Sequence, residues 1–485
     1  MRIHPESAVS PTPGSNNAPV MSIQDTFLAV MLIAGLMVAG KWIRKRVGIL
    51  RKLFLPSSIV AGTLALLLGP QVLGRFFDAS SRWATGVWSE PVLESWSGLP
   101  GVLISVVFAA LFLGKPLPDL RTIWRKAGPM VAHGQTLAWG QYVVGISLAI
   151  FIIIPVWNTS PLVGALIEIG FEGGHGTAAG LGDTFRELGF ADGADMALGL
   201  ATIGVVAGVI LGTLAINWAV LRGHIEPPDR SPSQDEEQLA EHEYREEPPP
   251  RPVSDQSIEP LSIHLGLVAV SIGLGWVLLE ALVQLETRLL VPMGWPELFR
   301  HVPLFPLAMI GGVIVQALSG PLGYAGIIDR MLMNRISGSA LDLLIVAALG
   351  ALSLEAIGGN AGPFALLAVG GIAWNLFGFF VLARLMFPKD WAPNGLANFG
   401  QGIGMTVVGL LLVRMSDPKN RSGAMEAFGY KQLLFEPVVG GGLFTAASLP
   451  LIYQFGPWPV LAGVTVVMFA WLVFGLWKFR GQWNR

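Results

Sequence analysis

Long apolar runs broken by short polar stretches dominate the chain, at a spacing suited to membrane spans. A helix needs about 20 mostly apolar residues to cross the hydrocarbon layer. Windows of that kind lie near 22–40, 55–74, 99–114, 128–156 and 194–221, and again near 261–284, 302–319, 340–357, 362–386, 432–455 and 457–478. They predict ten or eleven crossings. The runs are apolar on every face, as in TFLAVMLIAGLMVAG, whereas barrel strands alternate apolar and polar positions. The expectation is an all-α polytopic membrane protein.

Composition agrees, with 52% hydrophobic and 13% charged residues. The start, MRIHPESAVSPTPGSNNAPV, is polar and proline-containing; it reads as a disordered tail rather than a signal peptide. With no cysteine, disulfides, thiolate metal sites and cysteine nucleophiles are excluded. A net charge of −2 without a basic patch gives no reason to expect a nucleic acid partner.

Lysine and arginine resist translocation, so short loops rich in them face the cytoplasm. Lys41, Arg44, Lys45, Arg46, Arg51 and Lys52 follow the first run, and Lys115, Arg121, Arg125 and Lys126 follow the third. Arg75, Arg82 and Arg186 are outnumbered by Asp78, Glu90, Glu94, Asp183, Glu187, Asp192 and Asp195 in the loops expected outside. The N-terminus is then outside, the C-terminus cytoplasmic, and Trp83, Trp88 and Trp96 suit an outer interfacial belt. Residues 223–258 are acidic and proline-rich, a cytoplasmic linker too poor in apolar residues to fold. The predicted organisation is a tail (1–21), a first membrane unit (22–222), the linker (223–258), a second unit (259–455) and an extra C-terminal helix with a basic tail (456–485).

The two units share landmarks at nearly constant offsets. Gly128 and Pro129 match Gly362 and Pro363, Trp139 matches Trp374, and Pro155 matches Pro388. Gly174-His175-Gly176-Thr177 aligns with Gly402-Ile403-Gly404 and, after an inserted Met405, Thr406. Charge places the first glycine stretch after an outward loop and the second after an inward one. The expectation is two inverted repeats of about five helices, each with a re-entrant glycine-rich hairpin, an arrangement that secondary transporters use to build a midplane site.

The chemistry fits that expectation. Glycines let the chain break its helix, freed amides attract anions, and exposed carbonyls with Thr177 and Thr406 offer hard oxygen ligands to a small cation. Close packing of small residues is the alternative reading. His175 donates a hydrogen bond to substrate, titrates, or simply satisfies a carbonyl. Glu172 and Glu436 lie in apolar surroundings, where acids are paired or protonated, and proton coupling through them is one option. Glu280 and Glu355 are expected near membrane surfaces. No HExxH motif, nucleophile elbow or P-loop is present, so an enzyme is not expected. A channel-like or sensory protein stays open as an alternative, although no filter-like sequence occurs.

GGHGTAAG followed by FRELGF, LRKLFLPSSIVAG and ANFGQGIGMT together resemble the bacterial sodium/glutamate symporters over nearly the whole chain. The resemblance implies sodium-coupled glutamate uptake by a homodimer in the bacterial inner membrane, with an elevator-like moving part and sodium, not a cofactor, as the coupling ion. It points to Gly173, Gly174, His175, Gly176, Thr177, Gly400, Gln401, Gly402, Gly404 and Thr406 for substrate. For the coupling ion the candidates are Thr177, Thr406, Asn398, Glu172 and Glu436. Three positions depart from the family pattern: Glu172 replaces a serine, 408–412 is wholly apolar, and Glu436 stands where an apolar residue is usual. An added carboxylate opposes a dicarboxylate substrate unless it is protonated or paired.

Overall fold

The apolar windows become helices that stack through glycines. The computed structural model describes residues 23–52, 55–78, 81, 83–115, 120–226, 260–323, 326–387, 389–419 and 421–480. The expected N-terminal tail, most of the linker, Arg82, Pro388 and residues 481–485 of the expected basic tail lie outside the described residues.

In the first unit the helices are α1 (Ile23–Arg46), α2 (Ser57–Leu67), α3 (Glu90–Ala110) and α4 (Leu120–Leu148), which continues through a wide turn to Trp157. A broken segment follows: α5 (Leu166–Phe171), α6 (Gly174–Gly180) and α7 (Gly182–Glu187). It leads into α8 (Asp192–Leu221). The second unit holds α9 (Pro260–Leu285), α10 (Leu304–Ser319), α11 (Arg330–Gly350), α12 (Ala361–Phe377, extended to Met386), α13 (Trp391–Ser416), α14 (Ala424–Phe435) and α15 (Leu443–Phe455). The last helix is α16 (Pro457–Arg480).

Among the described residues, nine helical stretches are long and apolar enough to cross a membrane, fewer than the ten or eleven windows. The difference has local causes. The 55–74 window holds the 11-residue α2 followed by turns, the 302–319 window holds the 16-residue α10, and the 432–455 window is split between α14 and α15. The 340–357 window straddles the end of α11 at Gly350. Conversely, Trp391–Ser416 is apolar enough to count as a span, although no window marked it.

Packing is reciprocal between the units. Helix α2 lies on α1 and α11, and α10 lies on α9 and α3. Both pairs meet at glycines that admit a backbone: a side-chain carbon on Gly62 would lie 2.7 Å from Leu349 Cβ, and one on Gly312 would lie 2.3 Å from the Ala109 carbonyl. Between the units α4 crosses α12, where the Trp374 indole N–H donates to the Leu137 carbonyl at 2.9 Å. The indole covers Gly140, whose added carbon would sit 2.0 Å from the ring. Gly140→Val is therefore expected to destabilise the protein by at least 1–3 kcal/mol through overpacking, read as earlier thermal unfolding in detergent; unchanged unfolding would dismiss this crossing as a constraint.

Helices α1, α9 and α16 are the least buried and expose Phe27, Met31, Leu265, Val277, Phe469 and Val473, which suits lipid contact. The tryptophan belt needs correction. Only Trp83 is exposed; Trp88 and Trp96 are buried among α1, α2, α3 and α11, donating their indole N–H groups to the carbonyls of Ala65 and Ala29. Buried indole needs an acceptor, and these two find one inside the bundle. Glu280 and Glu355 are exposed.

The loop after α13 fixes the entry to α14. Partial burial works to raise the Asp417 carboxyl, but donors from Ser422 Oγ, Ser422 N–H and Arg421 N–H outweigh it and hold the group below its ordinary range.

Candidate functional site

Both glycine motifs break their helices, and both breaks turn the chain back on itself. In α13, Gly404 and Met405 leave helical geometry, with Met405 at φ 65°. The segments on either side lie against each other: an added carbon on Gly400 would be 2.7 Å from Gly409 Cα, and one on Gly409 would be 2.6 Å from the Ala397 carbonyl. Only glycines let two helix backbones approach that closely. The apparent span Trp391–Ser416 is thus two short arms of a hairpin.

The first motif breaks between α5 and α6, where Gly174 takes φ +72°. Its two arms run beside one stretch of α8. Gly170 packs on Ala197 and Leu200, His175 Nε2 lies 3.0 Å from Thr202 Oγ1, and Phe185 covers Gly193. The hairpin tips touch. A carbon on Gly174 would lie 1.8 Å from Met405 Sδ, so the side chain at one break fills the space left by the glycine at the other.

A third interruption joins them. Between α14 and α15 the chain unwinds over 436–442, with Gly440 at φ 73° and Gly441 at φ 100°. The Gly440 N–H donates 2.7 Å to Glu168 Oε1, which also accepts from Thr445 Oγ1 at 2.8 Å. Glu168 Oε2 accepts from the Tyr142 hydroxyl at 2.5 Å. This fully buried carboxylate ties together α4, the first hairpin and the third break. Gly441 abuts Thr177, whose Oγ1 would be 2.6 Å from a carbon added there.

Around the tips lies a cluster of buried polar groups. Gln141 Nε2 donates to the Gly402 carbonyl at 2.5 Å and to Glu172 Oε2 at 3.2 Å. Thr406 Oγ1 lies 3.4 Å from Glu436 Oε1. Lys431 Nζ donates to Gln401 Oε1 at 2.8 Å, and Gln432 Nε2 donates to the same oxygen at 2.9 Å. Asn398 Nδ2 faces the Met130 carbonyl and His133 Nδ1, both at 3.0 Å. Four buried side-chain oxygens, Gln141 Oε1, Asn375 Oδ1, Asn398 Oδ1 and Glu436 Oε2, have no hydrogen-bond partner among the described residues. Buried acceptors without donors are costly, so a set of them marks a place for water, a cation or a polar ligand.

The expected site residues divide. Gly173, Gly174, Thr177, Gly400, Gln401, Gly402, Gly404, Thr406, Asn398, Glu172 and Glu436 lie in or beside the three breaks. Gly176 faces Ile104 and Leu341, away from the tips. His175 turns its Nε2 toward Thr202, with Nδ1 unpartnered among the described residues. Thr177 spends its hydroxyl on the Gly173 carbonyl.

Sequence reasoning missed Glu168, Gln141, Tyr142, Asn375, Lys431, Gln432 and Thr445. Signals existed for several. Glu168 precedes Glu172 by one helical turn, and Lys431 is a lone lysine in the apolar run AFGYKQLLFEPVV. Gln141 and Asn375 stand 234 positions apart, the offset of Gly128 and Gly362, and both flank Gly402: Asn375 Oδ1 would lie 2.3 Å from a carbon there.

The model of the family described as sodium/glutamate symporter matches residues 21–411, most of the chain. No curated protein sequence matches the chain.

Proposed function

We propose, from the premise that this chain belongs to the sodium/glutamate symporter family, that it accumulates glutamate in the cell by alternating access, with sodium as the coupling ion. The family consists of transporters, not enzymes, and the chain is a multi-pass membrane protein. The observation that carries the reading is the contact of Gly174 with Met405, which sets two broken helices tip to tip within a polar cluster. Helix starts and unwound carbonyls at such tips complement a carboxylate and a small cation respectively.

In this reading the units are inverted repeats, re-entrant from opposite faces, and the substrate lies between Gly173–Gly174 and Gly402–Gly404. Thr406, Asn398, Glu172 and Glu436 supply oxygens for the ion. The hairpins with α4, α8 and α12 move as one part against α1–α3 and α9–α11, in an elevator-like stroke. A homodimer in the inner membrane, with the N-terminus outside, completes the proposal. Reciprocal packing of the two units supports the repeats.

Labelled glutamate supplied to proteoliposomes tests it. Uptake is expected to exceed equilibrium with an inward sodium gradient and to collapse to equilibrium without one. Flux that never exceeds equilibrium would make the protein channel-like, and accumulation of another carboxylate in preference would reassign the substrate.

A further inference from the structure

Three helix ends meet at a basic and aromatic cluster away from the hairpin tips. Arg384 lies just before the end of the α12 extension at Met386, against the last turn of α8 and the start of α13. Its guanidinium carbon sits 4.7 Å from the centre of the Trp391 ring and 5.1 Å from that of Trp218. The His224 ring closes the cluster, 5.1 Å from Trp391 and 5.6 Å from Trp218 between centres. Gly223 makes that closure possible: at φ 73° it reverses the chain after α8, and the His224 N–H donates back to the Ala219 carbonyl at 2.8 Å.

Contact with two rings holds the guanidinium in place but does not satisfy its N–H groups, of which arginine has five and no acceptor. Nε is buried without a hydrogen-bond partner among the described residues, and among them Arg384 forms no ion pair. The acids on the adjoining connections do not fill the gap. Glu226 pairs with Arg421, and Asp390, exposed just before α13, makes no capping bond with its side chain. Arg222 and Lys389, both exposed on the same connections, add positive charge. Arg384 itself is half-buried rather than enclosed, so its outer edge is open to an acceptor from outside the protein.

Position identifies where that acceptor comes from. The cluster stands at the end of an apolar span, the depth of lipid headgroups, and tryptophans favour the same layer. Exposed apolar side chains border it, Val381 and Leu385 on the stretch that carries Arg384 and Leu221 at the end of α8. A free phosphate makes no use of such a border, whereas lipid chains lie along it. We propose that Arg384, clasped by Trp218 and Trp391, binds the phosphate of an anionic lipid headgroup, with the acyl chains running along α8 and α12. A guanidinium pairs two N–H groups with two phosphate oxygens, and basic pockets between membrane helices take headgroups in this way. Lysine would lack both the planar fork and the ring stacking. The inference is independent of which solute the hairpins carry.

The test gives the full chain, purified in neutral detergent, equal amounts of phosphatidylglycerol and phosphatidylcholine with matched chains, and counts the bound lipids by mass spectrometry after the excess is removed. Wild-type protein is expected to prefer phosphatidylglycerol by about fivefold, the worth of one arginine at a charged headgroup. Arg384→Gln is expected to lose most of that preference. Arg300→Gln, at an exposed arginine paired with Glu297 in another loop, is expected to keep it. No preference in the wild type, an undiminished one in Arg384→Gln, or an equal loss in Arg300→Gln would each overturn the proposal. If Arg384→Gln does not assemble, Arg384→Lys decides: it keeps the charge without the fork, so a clear loss supports the site and an unchanged preference overturns it. Inorganic phosphate at millimolar concentration is the second probe. It is expected to leave the bound phosphatidylglycerol in place; displacement that depends on Arg384 would overturn the lipid source and assign the site to free phosphate.

Discussion

Gly174→Ala is expected to cut sodium-driven glutamate uptake by at least about tenfold while the protein still inserts and assembles. The backbone at Gly174 has φ +72°, a region that costs roughly 1–2 kcal/mol for a residue with a side chain. The added methyl would also arrive 1.8 Å from Met405 Sδ, so either Met405 withdraws or the hairpin tips separate. A displacement of about 1 Å at a reacting or binding centre can cost on the order of a hundredfold in rate. Gly176 provides the comparison: its added carbon would meet only the ends of Ile104 and Leu341 side chains at 3.0 and 3.4 Å. Gly176→Ala is therefore expected to keep most of its uptake. Equal, normal uptake in both variants would remove the tip contact from the working site. Sequence spacing treats the two glycines alike, and the fold separates them.

Glu168→Ala is expected to destabilise the protein more than any substitution at an exposed acid. It would leave the Tyr142 hydroxyl, the Gly440 N–H and the Thr445 hydroxyl without their shared acceptor. Each buried donor left unpaired costs about 1–3 kcal/mol, giving a loss on the order of 3 kcal/mol or more for the three. Glu280, exposed on α9 and among the described residues bonded only to Gln284, makes the control, with an expected change within about 0.5 kcal/mol for Glu280→Ala. Thermal unfolding of the two purified variants in detergent compares them directly. Similar unfolding temperatures would show that the Glu168 node does not hold the third break against the first hairpin. Loss of that node matters beyond stability, since Gly441 is pressed against Thr177 by the same fold.

Much of this protein was legible without coordinates because the signals are local. A run of apolar residues at GGIAWNLFGFF or TFLAVMLIAG predicts a helix in lipid whatever its neighbours are. The glycine breaks were legible for the same reason: FEGGHG and GQGIGM concentrate residues that interrupt a helix. Their family likeness rests on the same short strings. Span counting was weaker wherever a helix is short or folded back, because hydropathy registers composition and not direction. The arms of α13 show this, having the composition of a crossing and the geometry of a hairpin.

Hydropathy and glycine spacing specify the membrane class, the two glycine interruptions and the residues around them. Which polar groups share a space follows only from how the helices pack. Glu168 and Thr445 bond across 277 positions, and Gln141 and Gly402 across 261, distances over which no periodicity carries information. In a low-dielectric interior a buried charge is tolerable only beside suitable partners, and those partners are set by how helices cross. Lys431 illustrates the consequence: as a letter it is one lysine in an apolar run, and as a folded residue it is fully buried and donates to Gln401 in the second hairpin.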